Sequence, residues 1–209
     1  VLAEYNNQEE AVKGRFLNSV FTGLCLSVFS LTLLVWLYPQ AIVQIFAHGY
    51  TPGSSPYQKA VHLMRFVFPY LAAIACSTFF AAALQSTNRF VLPATSPIIL
   101  NTMLIGAGLL IAGGARPALD ILGYAVPIAG ALQVFVLWRG YCNHYPRLQW
   151  QLTLQQQGVR KVLSLMAVGS YGVVLQQISI LVDQNILTYL AEGSVSFMYY
   201  ADRLYLLPL

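Results

Sequence analysis

Asp183 stands inside a long apolar run from Val162 to Leu190, and an Asp202–Arg203 pair follows in the next apolar segment. A carboxylate at the centre of a bilayer costs several kcal/mol, so it faces a bundle interior or a watery cavity rather than lipid. Gln176, Ser179 and Asp183 are spaced i, i+3, i+7, with Gly172 one turn earlier, and share one face of a helix. Gln184 and Thr188 add further oxygens nearby. An oxygen set of this kind suits Na⁺ or H⁺ rather than zinc or copper. Two readings of Asp183 stand side by side: a cation site or proton relay, and a packing network satisfied by a neighbouring helix.

The second constellation is Tyr199-Tyr-Ala-Asp-Arg203, about two turns into a helix predicted to start at Ser194, an N-cap residue after Gly193. A guanidinium fork there fits phosphate or carboxylate in a cavity. Equally, the block reads as an aromatic belt with a snorkelling arginine. Two turns amount to roughly 12 Å of depth, which strains snorkelling. No other chemistry is encoded. His48, His62 and His144 lack metal-ligand spacing, and no nucleophile–base set, phosphate loop or CxxC is present.

The elements that must position these residues are membrane helices. The chain of 209 residues is 57% hydrophobic and 9% charged, with mean hydropathy +0.63, whereas ordinary soluble domains are roughly 25% charged. The fold class is therefore all-α and integral to the membrane, a polytopic transmembrane helix bundle. Its +4 net charge is not clustered with aromatics, which excludes a nucleic-acid surface. Cys25 and Cys76 lie in apolar spans and Cys142 on a basic loop, so no disulfide framework is implied. The chain begins at Val1 without methionine and stops inside an apolar segment; we read it as an internal fragment of a larger transporter-sized protein.

A crossing needs about 20 apolar residues, and only helices satisfy their own backbone in lipid. Spans are predicted at Phe16–Tyr38, Phe66–Leu84, Val91–Ala112, Ile121–Trp138 and Val162–Leu190, the last bent near Gly169 and Gly172, with a sixth starting near Val195. Pro39 to Lys59 reads as an interfacial segment and a loop, and Leu148 to Leu154 alternates with period two as an extended interfacial stretch anchored by Trp150. Ala73, Ser77 and Ala81 form a small-residue packing face, Asn101 an interhelical hydrogen-bonding residue, and Pro69, Pro93, Pro97 and Pro127 mark kinks or helix ends. Lys13, Arg15, Arg89, Arg139, Arg147, Arg160 and Lys161 fall on one side; Lys59, Arg65, Arg116 and Arg203 fall on the other. The richer side is cytoplasmic by the positive-inside rule.

Several blocks together carry a resemblance. They are Val1–Tyr5, Phe68-Pro-Tyr70, Asn88-Arg-Phe90 with Pro93, Pro97–Asn101, and Gly193–Ser196 running into Tyr199–Leu204. In this order and spacing the chain resembles the lipid II flippases of the MurJ family, within the multidrug/oligosaccharidyl-lipid/polysaccharide exporter superfamily. The resemblance implies helices 3 to 8 of a two-lobed exporter. Residues 1–145 would be part of the N-terminal lobe, 146–161 an interfacial linker, and 162–209 the start of the C-terminal lobe.

It further implies a multi-pass protein of the bacterial cytoplasmic (inner) membrane, a transporter and not an enzyme. The cargo would be lipid II or a similar anionic polyprenyl-linked precursor, moved by alternating access. Arg203 would be the cavity arginine with Asp202 beside it, and Asp183 would fall at a cation-site acid, with Gln176 and Ser179 on its face. No cofactor is implied beyond Na⁺ or H⁺ coupling. Partners would be the lipid cargo and membrane lipids, not nucleic acid, with the protein acting as a monomer together with the missing helices. The alternatives are a related polysaccharide-lipid flippase and a cation-coupled drug antiporter, against which an arginine in the cavity argues. A membrane enzyme on lipid-linked sugars would need converging carboxylates or a histidine, and none converge.

Overall fold

In the computed structural model, residues 10–153, 157–191 and 193–205 are described. The Val1–Tyr5 block lies outside them. Every regular element among them is a helix: α1 Glu10–Leu37, α2 Pro39–Phe46, α3 Ser55–Val67, α4 Pro69–Gln85, α5 Val91–Ala112, α6 Ala118–Cys142, α7 Gln157–Leu187 and α8 Ser194–Tyr205. Among the described residues five stretches are long and apolar enough to cross a membrane: Val12–Leu37, Ser55–Gln85, Val91–Ala112, Ala118–Cys142 and Gly158–Leu187. The all-α, multi-span reading therefore holds.

The second span starts earlier than the apolar run implies. α3 carries Lys59, His62 and Arg65, whose polarity hides a helix that begins at Ser55, with the Ser54 hydroxyl accepting from Tyr57 N–H at 3.3 Å. The chain then passes into α4 through Phe68, itself in the right-handed helical region at φ −61°, ψ −33°. Pro69 occupies the first turn of α4, where a missing N–H costs no helical bond.

The chain forms two compact units, residues 1–37 with 63–165, and residues 38–62 with 166–209. In the first, α4 packs between α1 and α6, and α6 packs on α5. Small residues allow the approach: a Cβ on Gly130 of α6 would lie 2.8 Å from Ala73 and 2.7 Å from the Tyr70 ring of α4. The Ala73 face thus packs closely, as small-residue stripes do in membranes. Across the next interface Gln133 Nε2 donates to the Ser96 carbonyl of α5 at 2.7 Å. Asn101 is exposed on α5 and makes no interhelical hydrogen bond among the described residues.

The core of this unit gathers at one end, where α1 begins and α4 and α6 finish: Leu17, Phe80, Leu84, Leu137 and Tyr141 are all buried. Tyr141 and Tyr145 stack at 4.9 Å, and Tyr145 Oη–H donates to the Ala83 carbonyl at 2.7 Å. That bond satisfies one of the carbonyls left unpaired at the end of α4. Outward-facing side chains stay apolar, with Val91 81% and Leu109 69% exposed, a surface that lipid accommodates.

Residues 148–153 adopt no regular structure and lie along α1. The backbone N–H groups of Gln149, Gln151 and Thr153 donate to Asn18 Oδ1, Thr22 Oγ1 and Ser19 Oγ at 3.0, 3.2 and 3.2 Å. Alternate residues presenting N–H to one side is the period-two pattern of the sequence expressed in backbone. The partners, a polar patch in an otherwise apolar helix, satisfy donors that lipid could not.

Candidate functional site

In the second unit, α7 carries Gln176, Ser179 and Asp183, all exposed. Asp183 lies seven residues after Gln176, so the two differ by only about 20° around the axis, with Ser179 about 40° away. One face of α7 therefore presents an amide, a hydroxyl and a carboxylate along two turns. Among the described residues no three His, Cys, Asp or Glu side chains gather around a metal position. Along this face the side chains offer carboxylate, amide and hydroxyl oxygens, all hard donors.

α8 carries the second constellation. Gly193 sits at φ +97°, a conformation that a side chain strains, and it turns the chain into α8. The Ser194 hydroxyl donates to the Ala191 carbonyl at 2.8 Å. The hydroxyl donates back into the preceding turn rather than accepting a helix N–H, so Ser194 is no N-cap, although the helix does begin there as expected. The Arg203 guanidinium lies 5.1 Å from the centre of the Tyr199 ring, one turn earlier. Such a cation–π contact holds the guanidinium plane while leaving its donors free for a ligand. Asp202 and Arg203 are on α8, and Gln176, Ser179 and Asp183 on α7; each pair of neighbours is set by its own helix.

What sequence reasoning missed is the end of α7. Asn185 Oδ1 accepts from His48 N–H at 2.9 Å while Asn185 Nδ2 donates to the Ile45 carbonyl at 3.2 Å. Thr188 Oγ1 accepts from Gly49 N–H at 2.9 Å and donates to the Asn185 carbonyl at 2.6 Å. The turn after α2 is thereby stitched to α7 across about 140 residues of sequence, a separation of 137 to 140 positions. Nothing in a single sequence announces that pairing; the only signal is a Gly after His48 at the end of an apolar segment. Beside the stitch lies a cavity of about 610 Å³ lined by Thr51, Ser54, Lys59, Thr188, Ser194 and Ser196, among others.

A family model described as lipid II flippase MurJ matches residues 1–209. The chain is 29% identical over 214 residues to the lipid II flippase MurJ of Burkholderia cenocepacia, covering 100% of the chain and 41% of that protein. It is 29% identical over 225 residues to the probable lipid II flippase MurJ of Haemophilus influenzae, 100% of the chain and 42% of the relative. Against that of Buchnera aphidicola subsp. Schizaphis graminum it is 30% identical over 193 residues, 90% of the chain and 36% of the relative. The chain spans about two fifths of the length of the curated relatives it matches.

Proposed function

This chain belongs to the lipid II flippase MurJ family, and from that premise we propose that it forms part of a multi-pass inner-membrane transporter translocating lipid II by alternating access. The observation that carries the reading is the family match along residues 1–209, ending in the Tyr199–Leu204 block that contains the arginine. A pyrophosphate-linked headgroup carries several negative charges, and a bare crossing of the hydrocarbon core is prohibitive. Arg203 replaces hydration by charge-assisted hydrogen bonds to phosphate oxygens, with Asp202 tempering its field. The polyprenyl tail stays in the bilayer meanwhile.

Asp183, with Gln176 and Ser179, binds the coupling cation, Na⁺ or H⁺. The membrane potential biases a charge moving with it by up to about 2.3 kcal/mol per 100 mV. Residues 1–145 act in the N-terminal lobe and 162–209 in the C-terminal one, joined through 146–161, within a monomer. The test is complementation of flippase-depleted bacteria by the complete reading frame, paired with an assay of lipid II exposed at the outer leaflet. Restored growth with restored exposure supports the reading. Expression at native level without lipid II exposure assigns another cargo.

A further inference from the structure

We infer that Asn185 and Thr188 are positioning residues: they fix the rotational setting of α7 about its axis and so aim the Asp183 face. The inference rests on the cation-binding role proposed above for its functional consequence, but its geometry stands independently. Asn185 follows Asp183 by two residues, which places it about 160° around the helix, on nearly the opposite side. Ile178 and Leu181 lie within about 40° of Asn185. With Phe46, the last residue of α2, they line a groove of about 410 Å³. The stitched face is therefore turned largely away from Gln176, Ser179 and Asp183, while the groove also reaches Ile180 and Gln184 on its flank.

The stitch is specific as well as polar. A single Asn185 amide spans the turn, its oxygen on His48 N–H and its nitrogen on the Ile45 carbonyl, an orphan at the end of α2. Only one orientation of the amide satisfies both contacts. Thr188 adds a second anchor three residues later, and because both anchors lie off the helix axis a turn of α7 would break both. Gly49 is pressed so close that a Cβ there would lie 2.5 Å from both the backbone carbon and the hydroxyl of Thr188. The fit thus has no slack for an α7 turned about its axis. Near a bilayer the unpaired N–H and C=O groups have few alternatives to these side chains, so the setting is held by satisfaction of polar groups rather than by apolar burial.

The experiment uses the complete reading frame in proteoliposomes, with spin labels placed singly at 174–182. Accessibility to a water-soluble nickel chelate and to oxygen along this stretch gives the phase of the helix. In the unsubstituted protein the water-facing maximum falls at 176 and 179. Asn185→Leu and Thr188→Val shift that phase or flatten its contrast at least about threefold, the loss of an orienting hydrogen bond. Thr188→Ser keeps it. Gly49→Ala, which removes no donor but intrudes on Thr188, disturbs the phase in the same way and covers the case in which a polar deletion fails to fold. An unmoved phase in Thr188→Val and Gly49→Ala, at unchanged melting temperature, overturns the inference.

Transport supplies the second readout. The Na⁺ or proton concentration for half-maximal lipid II exposure rises about fivefold in Thr188→Val and returns in Thr188→Ser. Asp183→Asn separates the two levels: if it leaves the cation dependence intact while the phase still moves, the role of Asp183 fails and the positioning stands. If the phase stays put, the positioning fails whatever Asp183 does.

Discussion

Asp183 and Arg203 make opposite demands on their surroundings, and each stands out as a charge within a largely apolar segment. A carboxylate within a span is retained only where an oxygen-rich face or a bound cation stabilises it, and the Gln176–Ser179–Asp183 register on α7 supplies the first of these. Asp183→Asn keeps size and hydrogen bonding while removing charge. The expected outcome is transport that no longer responds to Na⁺ or pH, at normal expression; an unchanged response makes the residue a packing group. Arg203 is steadied by Tyr199 at 5.1 Å, so its planar fork, not merely its charge, is presented. A lysine cannot reproduce a bidentate phosphate contact, so Arg203→Lys is expected to lower lipid II exposure about tenfold and Arg203→Ala to abolish it. Asp202→Asn is expected to be milder. Normal exposure with Arg203→Ala would return the arginine to the aromatic belt. That these residues stand on two helices was legible in the sequence. Asn185 was not, because an asparagine near a helix end is unremarkable until its partner, the His48 turn, is brought to it.

Elements were legible wherever apolar length decided them, and illegible where tertiary partners did. Val91–Ala112 agrees at both ends between sequence and structure, since an uninterrupted run leaves one solution. The sequence reading ends its loop at Lys59 and starts the second span at Phe66, whereas the helix already begins at Ser55, since a helix entering a membrane can carry its cations on the first turns. The extended stretch 148–153 was legible as period two, but its berth on Asn18, Ser19 and Thr22 was not. Two interface substitutions test the packing of the first unit. Gly130→Val drives side-chain atoms into Tyr70 and Ala73, and overpacking of this kind costs about 1–3 kcal/mol or more. Gln133→Leu loses one interhelical bond to Ser96 but also removes Oε1, which is buried without a partner, so its cost is about 1 kcal/mol or less. Thermal unfolding in detergent should therefore rank Gly130→Val well below Gln133→Leu. The reverse order would mean that the polar contact, not close packing, holds α6 in place.

At the scale of the whole molecule, the distribution of charge predicts an orientation in the membrane that a labelling experiment tests. Lys13, Arg15, Arg139, Arg147, Arg160 and Lys161 all fall at the end where α1 begins, α6 ends and α7 begins. That is also the end where Phe80, Leu84, Leu137 and Tyr141 are buried, and where Lys13 Nζ lies 4.5 Å from the centre of the Tyr145 ring. The positive-inside rule predicts that this end is cytoplasmic, where basic side chains would meet anionic headgroups. α7 spans 31 residues, roughly 46 Å at 1.5 Å per residue, against a hydrocarbon core of about 30 Å. The helix is long enough to reach both headgroup layers, so the positive-inside rule predicts Arg160 and Lys161 at the cytoplasmic one and the Asp183–Thr188 end, with the His48–Gly49 turn stitched to it, toward the other. Single cysteines at Asn143 and Thr51, both exposed, should then label from opposite sides of intact cells. A membrane-impermeant maleimide reaches position 51 and leaves 143 unreacted until the membrane is opened. Labelling of position 143 in intact cells would invert the orientation and move the basic end, with its core, to the outer face.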